Sequence, residues 1–364
     1  MSIYVPTLPS YGRLSIPSEE RFGSITISPL TTAYMEALGI SSAQAFGALI
    51  LSGGIVIPTI PDGVYPMGFQ GLVRGQPAAL RDLGRDWNFN TDGLDLSGWR
   101  IHGKVGCAPN STGINNIIGD GFEIVGSDNG SSGNLLDCNG HFSGTIPHLQ
   151  HFTIKPNVPV ISVNGFMGDE AWLYDFDISQ VGGDALSPNN MHNGYRALGL
   201  TCDWGFCHDQ VYYYPDSSHS NGTHNDGGQI PGGTGGTFTR IYFTGITCPT
   251  FGQDVALRTN GSGAGQGVLP LGQQNSAIQF TQDVSHVGDI LFDMCRFGGG
   301  WTASVNCYNT SSETMGPITF SNSLWDGNNL RGNDIIYNPA KTTLVLSGNR
   351  LVGGGAIHVN SNGG

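Results

Sequence analysis

Apolar residues recur at a common spacing through the second half of the chain, and this repeat limits the folds available to it. Each set has one apolar residue, a second two positions later and a third five positions after that. The four sets are Ile241, Phe243 and Cys248; Ile290, Phe292 and Phe297; Ile318, Phe320 and Trp325; and Leu344, Leu346 and Leu351. They begin 49, 28 and 26 residues apart, and we interpret the first interval as two coils of about 24 residues.

The same period appears upstream. Its members there are Phe152, Phe176 and Leu200, and, two positions later in each case, Ile154, Ile178 and Cys202. A repeat of 24 to 28 residues with β-type alternation is too short for a propeller blade and lacks the asparagine-bearing leucine-rich consensus. It predicts an all-β fold, a right-handed parallel β-helix, in which identical positions of successive coils stack into one core. The alternative is a β-sandwich with irregular strand spacing.

Two features of the chain ends predict the domain organisation. Helix signals at Ser28–Pro29 and at Ser41 or Ser42, ended by Gly39 and Gly53, predict one or two small helices that cap the first coil. We therefore divide the chain into an N-terminal arm, residues 1–41, and a β-helix domain, residues 42–364. The final GGGAIHVNSNGG offers little cover for the last coil, which favours a partner chain at that end.

Composition excludes several functions. The net charge is −13 with only 15 lysines and arginines, so nucleic acid is excluded as a partner and strongly anionic partners are disfavoured, except at a local positive patch. The N-terminus lacks the basic and apolar regions of a signal peptide, and no apolar run could insert into a membrane. Seven cysteines without CxxC spacing predict buried free thiols.

Two segments carry a family resemblance. QAFGALILSGGIVIPTIPDGVY (44–65) resembles the opening of the pectate-lyase-like β-helix in phage tailspikes. YYYPDSSHSNGTHNDGGQIPGG (212–233) resembles a segment of β-helix proteins from actinobacteria and their phages that usually reads close to HSDGTHNDGIQIQGG. Asn221 replaces an acid of that pattern, which weakens any two-carboxylate mechanism here, and Gly228 replaces an isoleucine.

The second segment also supplies candidate site residues. Carboxylates about one coil apart converge on the outer face of a β-helix, and a glycosidase needs a protonated carboxylic acid beside a second carboxylate. The candidate catalytic residues are Asp226, His224, Asp203 and Asp209, and the candidate substrate-binding residues are His219, Gln229, Tyr212, Tyr214 and Trp204. Trp172 and Trp301 are further aromatic candidates for stacking on sugar rings. The same Asn-Asp-Gly sequence also suits a simple turn, and that alternative stays open.

Other chemistries have weaker support. No EF-hand or nonapeptide pattern is present and the zinc spacing is incomplete, so we predict neither a metal site nor a cofactor, although bound calcium stays open. A β-eliminating lyase is disfavoured because the chain has only three lysines, Lys104, Lys155 and Lys341.

The resemblance implies a phage virion protein of the tail that recognises a host-surface polysaccharide, with hydrolysis of that polysaccharide left open. It also implies a homotrimer in contact with other tail proteins. One alternative is a non-catalytic structural or receptor-binding virion protein. A second is a bacterial polysaccharide-degrading enzyme, which the lack of a signal peptide disfavours.

Overall fold

Successive β-strands make up nearly all of the regular structure. In the computed structural model the described residues are 3–7, 12–16, 79–106, 112–114, 116–131, 133–138, 141–142, 146–160, 162–168, 170–188, 199–211, 225–244, 276–280, 287–300, 303–307, 314–327, 329 and 332–361. Within them the single helical element is one turn, α1 (Phe89–Asp92), capped by the side chain of Asn88.

The strands among the described residues are two to ten residues long. In chain order, the first half contains β1 (Ile3–Thr7), β2 (Gly12–Ile16), β3 (Arg81–Leu83), β4 (Trp87–Asn88), β5 (Trp99–Ile101), β6 (Val105–Gly106), β7 (Thr112–Ile114), β8 (Ile118–Ile124), β9 (Leu136–Cys138), β10 (His141–Phe142), β11 (His148–Ile154), β12 (Phe166–Gly168), β13 (Glu170–Ser179), β14 (Leu186–Ser187) and β15 (Gly199–His208). The second half contains β16 (Gly228–Ile230), β17 (Gly233–Thr234), β18 (Thr237–Thr244), β19 (Ile278–Phe280), β20 (Val287–Gly288), β21 (Ile290–Asp293), β22 (Arg296–Gly298), β23 (Val305–Cys307), β24 (Met315–Ser321), β25 (Leu324–Trp325), β26 (Ile335–Tyr337), β27 (Thr342–Ser347), β28 (Arg350–Leu351) and β29 (Val359–Asn360).

Two long parallel sheets contain most of the strands from β3 onward. The first has the order β27-β24-β21-β18-β15-β13-β11-β8-β5-β3, and the second has the order β29-β26-β23-β19-β16-β14-β12-β9-β6-β4. Strands β22, β25 and β28 belong to the first sheet as well, beside this order, because the last coils contribute two strands to it. The chain winds forward by one strand spacing per coil. This arrangement confirms the predicted parallel β-helix.

Aromatic side chains stack inside the first sheet. Phe238, Phe292, Phe320 and Leu346 occupy the same position in four successive coils. The ring of Phe292 lies parallel to those of Phe238 and Phe320, with centroids 4.7 and 4.9 Å apart. The predicted place in the core is confirmed for Phe292 and Phe320, which are fully buried, but it is wrong for Leu346, which is 39% exposed in the last coil of this row.

The predicted stack also misplaced Phe243. This residue is buried as expected, but it pairs with Phe297 and therefore lies in the neighbouring row, which continues to Trp325. Strand β18 pairs directly with β21 and β22, so the interval of 49 residues is one coil rather than two. Residues 245–275 of this coil lie outside the described residues. The observed register differs from the predicted one by five positions.

The upstream register has a similar error. Phe152 pairs with Phe176 as predicted, but Phe176 pairs with Gly205, because this coil is longer than 24 residues. Leu200 and Cys202 pair instead with Ala171 and Leu173. Gly205 is required here, since a Cβ at this position would lie 2.3 Å from the Phe176 ring.

A corner in left-handed backbone conformation bends the first sheet in every coil. The non-glycine residues at this corner are His151 (φ 54), Asp175 (φ 52), Trp204 (φ 67), Arg240 (φ 52), Met294 (φ 52) and Asn322 (φ 49). Such a conformation costs roughly 1–2 kcal/mol for a residue with a Cβ. The corner interrupts the strict alternation of inward and outward side chains. Whether a side chain points inward or outward therefore cannot be predicted from its odd or even position in the strand alone.

The chain divides into two compact units, Met1–Leu72 with Val352–Gly354, and Val73–Leu351 with Gly355–Gly364. In the first unit, β1 and β2 pair as an antiparallel hairpin, which the sequence analysis did not predict. The predicted capping helices and the boundary after residue 41 lie outside the described residues.

Five cysteines confirm the prediction of free buried thiols: Cys138, Cys202, Cys207, Cys295 and Cys307. Cys107 and Cys248 lie outside the described residues. Among the residues that the structure describes, no helix is long and apolar enough to cross a membrane.

Candidate functional site

Asp226 lies inside the solenoid, at the turn that leads into β16. It is 0% exposed, and its Oδ1 accepts a hydrogen bond of 2.7 Å from the backbone N–H of Ser276. In the preceding coil Oδ1 of Asp184 accepts from the N–H of Asp226 at 2.9 Å, and Oδ1 of Asn164 accepts from the N–H of Asp184 at 2.8 Å. These contacts form a ladder of side chains that joins successive coils. Within this ladder, Asp226 acts as a turn residue.

Burial gives this ladder unusual electrostatics. Burial raises the pKa of Asp226 well above the ordinary value, and the neighbouring Asp184 carboxylate raises it further. Burial also raises the pKa of Asp184, to about 7, against the opposing effect of the Asp226 N–H. Oδ2 of Asp226 finds no hydrogen-bond partner among the described residues. The pair therefore favours the protonated form, but Asp226 lies out of reach of a polysaccharide.

The structure does not bring the other candidate residues to Asp226. Asp203 lies on the outer side of β15 in the first sheet, where Arg240 forms a two-pronged ion pair with it. Gln229 lies on β16 in the second sheet, beside Gln279 of the next coil. Trp204 is only 1% exposed, so it offers no open ring for a sugar. Tyr212, Tyr214, His219, His224 and Trp301 lie outside the described residues.

Asp209 belongs to a different cluster, around His208 at the end of β15. Nδ1 of His208 lies 2.8 Å from Oδ2 of Asp209, and Nε2 lies 3.2 Å from Oδ2 of Asp177 one coil earlier. Burial lowers the pKa of His208, but the hydrogen bonds with Asp177 and Asp209 outweigh burial and raise it to about 9. His208 is therefore a cation at neutral pH, and each carboxylate is paired with it.

A row of rings and charges continues from His208 along the same face. Phe206 stacks on His208 with ring centroids 3.7 Å apart, and on Tyr242 of the next coil at 5.0 Å. The hydroxyl of Tyr242 donates to Asp326 at 2.7 Å, and Arg296 pairs with the same carboxylate. These side chains pair their charges and hydrogen bonds with one another. The row therefore acts as a brace that holds neighbouring coils together.

The second outward cluster is aromatic. Trp172 and Tyr174 project from the outer side of β13 with near-parallel rings, 5.6 Å between centroids and 6° between planes. His148 of the preceding coil lies 5.5 Å from Trp172, and His151 lies 5.8 Å from Tyr174. We call His148, Trp172, Tyr174 and His151 the aromatic row. His148 is exposed and the other three are half-buried, so the row faces solvent.

A carboxylate network supports one end of the aromatic row. Nδ1 of His151 lies 2.6 Å from Oδ1 of Asp120, and its Nε2 lies 3.9 Å from the buried carboxylate of Asp175. The short contact with Asp120 thus fixes the histidine ring at Nδ1. Fixed rings lose little freedom when a ligand binds, which favours recognition by stacking.

No protein family, curated protein or solved structure matches this chain.

The functional interpretation therefore depends on the side chains themselves. Among the described residues, no group of three or more His, Cys, Asp and Glu side chains is placed to hold a metal ion, and bound calcium stays a prediction. Of the two outward clusters, only the aromatic row leaves its rings open to solvent.

Sequence reasoning named Trp172 but not its neighbours. His148 and Trp172 are register partners 24 residues apart, so the repeat itself could have identified the pair. His208 and Asp177 are 31 residues apart, and only the longer coil between β13 and β15 brings them together.

Proposed function

We propose that this protein is a tail-associated component of a phage virion whose β-helix binds a host-surface polysaccharide. The observation that carries the binding proposal is the aromatic row on β11 and β13. Sugar rings present faces of C–H groups that pack on aromatic rings, and Trp and Tyr provide a large contact area with a polar edge. The virion assignment rests on the resemblance of residues 44–65 and 212–233 to phage β-helix proteins.

The aromatic row suits a chain-like ligand. Its rings come from two adjacent coils, and consecutive coils are about 4.8 Å apart. A rigid solenoid holds these rings at fixed separations, so binding costs little reorganisation. This arrangement favours an extended polysaccharide over a small compact ligand.

The described carboxylates favour binding over hydrolysis. Hydrolysis requires a protonated acid that can reach the glycosidic oxygen. Asp226 favours its protonated form but is buried, whereas the outward carboxylates of Asp203 and Asp209 are paired with Arg240 and His208. Reducing-end release by the purified protein on host polysaccharide would support hydrolysis as the alternative function.

The binding proposal is testable with an array of bacterial surface polysaccharides. We expect the intact chain to bind at least one polysaccharide, and the double variant Trp172→Ala with Tyr174→Ala to lose that binding by about 10-fold or more. Tyr337→Ala removes an aromatic side chain from the second sheet and is the matched control, expected to bind normally. Equal binding by the double variant would refute the role of the aromatic row, and an intact chain that binds no polysaccharide would refute the function.

A further inference from the structure

A polar cleft lies across the corner from the aromatic row, at the other end of strands β8 and β11. Its volume is about 380 Å³, within the range of pockets that hold one small ligand. The polar side chains that line it are Glu123, Thr153, Lys155, Asn157 and Gln180. We call this the Lys155 cleft.

Two charged side chains line the cleft, Glu123 and Lys155. Glu123 is paired with Arg100, whose Nε lies 2.5 Å from its Oε2, so its charge is compensated. Lys155 is exposed and forms no ion pair or side-chain hydrogen bond with any other described residue. An uncompensated cation in a cleft attracts an anion, and the attraction matters more in a chain whose net charge is −13.

The remaining lining groups suit hydroxyls. Thr153 has a hydroxyl, and Asn157 and Gln180 have side-chain amides that both donate and accept hydrogen bonds. The side-chain amide of Asn157 donates a long hydrogen bond of 3.4 Å to Asp128, so the amide remains adaptable. One ammonium among neutral hydrogen-bonding groups matches a sugar ring that carries a single carboxylate.

We infer that the Lys155 cleft binds a uronic acid residue of the polysaccharide, with the Lys155 ammonium paired with the sugar carboxylate. This inference rests on the proposed polysaccharide binding and specifies its substrate class. The cleft and the aromatic row share β11, where His148 begins the strand and Thr153 lies near its end. One polysaccharide chain can therefore contact both sites, with neutral rings on the aromatic row and an acidic ring in the cleft.

The test uses hexasaccharides of glucuronate, galacturonate and mannuronate, each paired with its carboxyl-reduced counterpart. Calorimetry with the full chain should show at least one uronate binding about 10-fold more tightly than its reduced form, since a hydrogen bond to a charged group contributes this much. Lys155→Gln should abolish that preference. Lys341→Gln removes the same charge near the last coils and should preserve it.

Three results separate the inference from the proposed function. If no uronate binds more tightly than its reduced form, or if Lys155→Gln keeps the preference, the inference is wrong. If neutral oligosaccharides still bind through Trp172 in that case, the proposed function stands without it. A uronate preference that survives Trp172→Ala but disappears in Lys155→Gln would support the cleft and count against the aromatic row.

Discussion

The backbone N–H of Asp226 donates a hydrogen bond of 2.9 Å to Oδ1 of Asp184, the equivalent residue of the preceding coil. Asn164 fills this position one coil earlier and accepts the same kind of bond from Asp184. The ladder therefore needs an acceptor oxygen at each step, but it does not need a charge. Two buried carboxylates in contact are an electrostatic cost that an amide would avoid.

Asp184→Asn should stabilise the protein above neutral pH. The native pKa of Asp184, about 7, lies above its value of 3.8 in the unfolded chain. The native state therefore keeps a proton that the unfolded state has lost, and the stability from this group falls as pH rises from about 4 to 7. The asparagine side chain of the variant cannot titrate. We therefore expect the unfolding free energy of the variant, relative to that of the wild type, to be about 1 to 4 kcal/mol higher at pH 8 than at pH 4.

Urea unfolding at both pH values measures this difference. Asp128→Asn, at a side chain that is 77% exposed, is the control and should show no such gain. A variant at position 184 that is less stable at pH 8 than the wild type would contradict the assignment of a protonated ladder.

Deprotonation of His208 should lower the stability of the protein at a higher pH than deprotonation of Asp184 does. Its native pKa of about 9 exceeds its unfolded value of 6.5, so its contribution is complete below pH 6.5 and disappears as pH rises through 9. We expect the wild type to lose about 2 to 3 kcal/mol over this range and His208→Gln to lose much less. Titration of the imidazole by NMR tests the cause directly, and a midpoint near 6.5 would rule it out.

Phe292→Ala should cost about 3–5 kcal/mol of unfolding free energy, because the side chain is fully buried between Phe238 and Phe320. Leu346→Ala changes the same row in the last coil, where the side chain is 39% exposed, and should cost about 1 kcal/mol. Chemical denaturation of both variants gives the comparison. Equal losses would show that the row is not buried as described.

Gly298→Ala should destabilise the brace around Tyr242. A Cβ at Gly298 would lie 2.3 Å from Oδ2 of Asp326 and 3.1 Å from the Tyr242 hydroxyl, so the carboxylate must move. We expect a loss of about 1–3 kcal/mol. Gly84→Ala, where a Cβ meets nothing within 4 Å, should change stability by less than about 0.5 kcal/mol. Thermal unfolding that shows no difference between the two variants would contradict this role of Gly298.

The homotrimer stays a prediction from the sequence. A β-helix leaves a strand edge open at each end, and closed cyclic symmetry lets one sequence provide every contact between chains. Light scattering at micromolar concentration should give about three times the chain mass of 38.4 kDa. A mass near that of one chain would count against the trimer.

The sequence alone determined the fold class and part of the register. Stacked coils bury the same position in each repeat, so apolar residues must recur, and Phe292, Phe320 and their neighbours follow that rule. Where coils keep nearly constant length, as from Phe152 to Phe176, counting residues also gives the correct partner. The coil from β18 to β21 made the count wrong, because it is much longer than the repeat of 24 to 28 residues although its strands still stack in register.

Only the tertiary structure decided which polar residues face outward. Asp226 and Asp203 look equivalent in the sequence, yet Asp226 turns into the ladder while Asp203 lies on the outer face with Arg240. The left-handed corner of each coil interrupts the alternation of inward and outward side chains along the strand. Burial then decides whether a carboxylate bonds to the backbone or to a cation. The aromatic row and the Lys155 cleft depend on neighbours in adjacent coils. Those neighbours are set by the lengths of the coils, which no local pattern encodes.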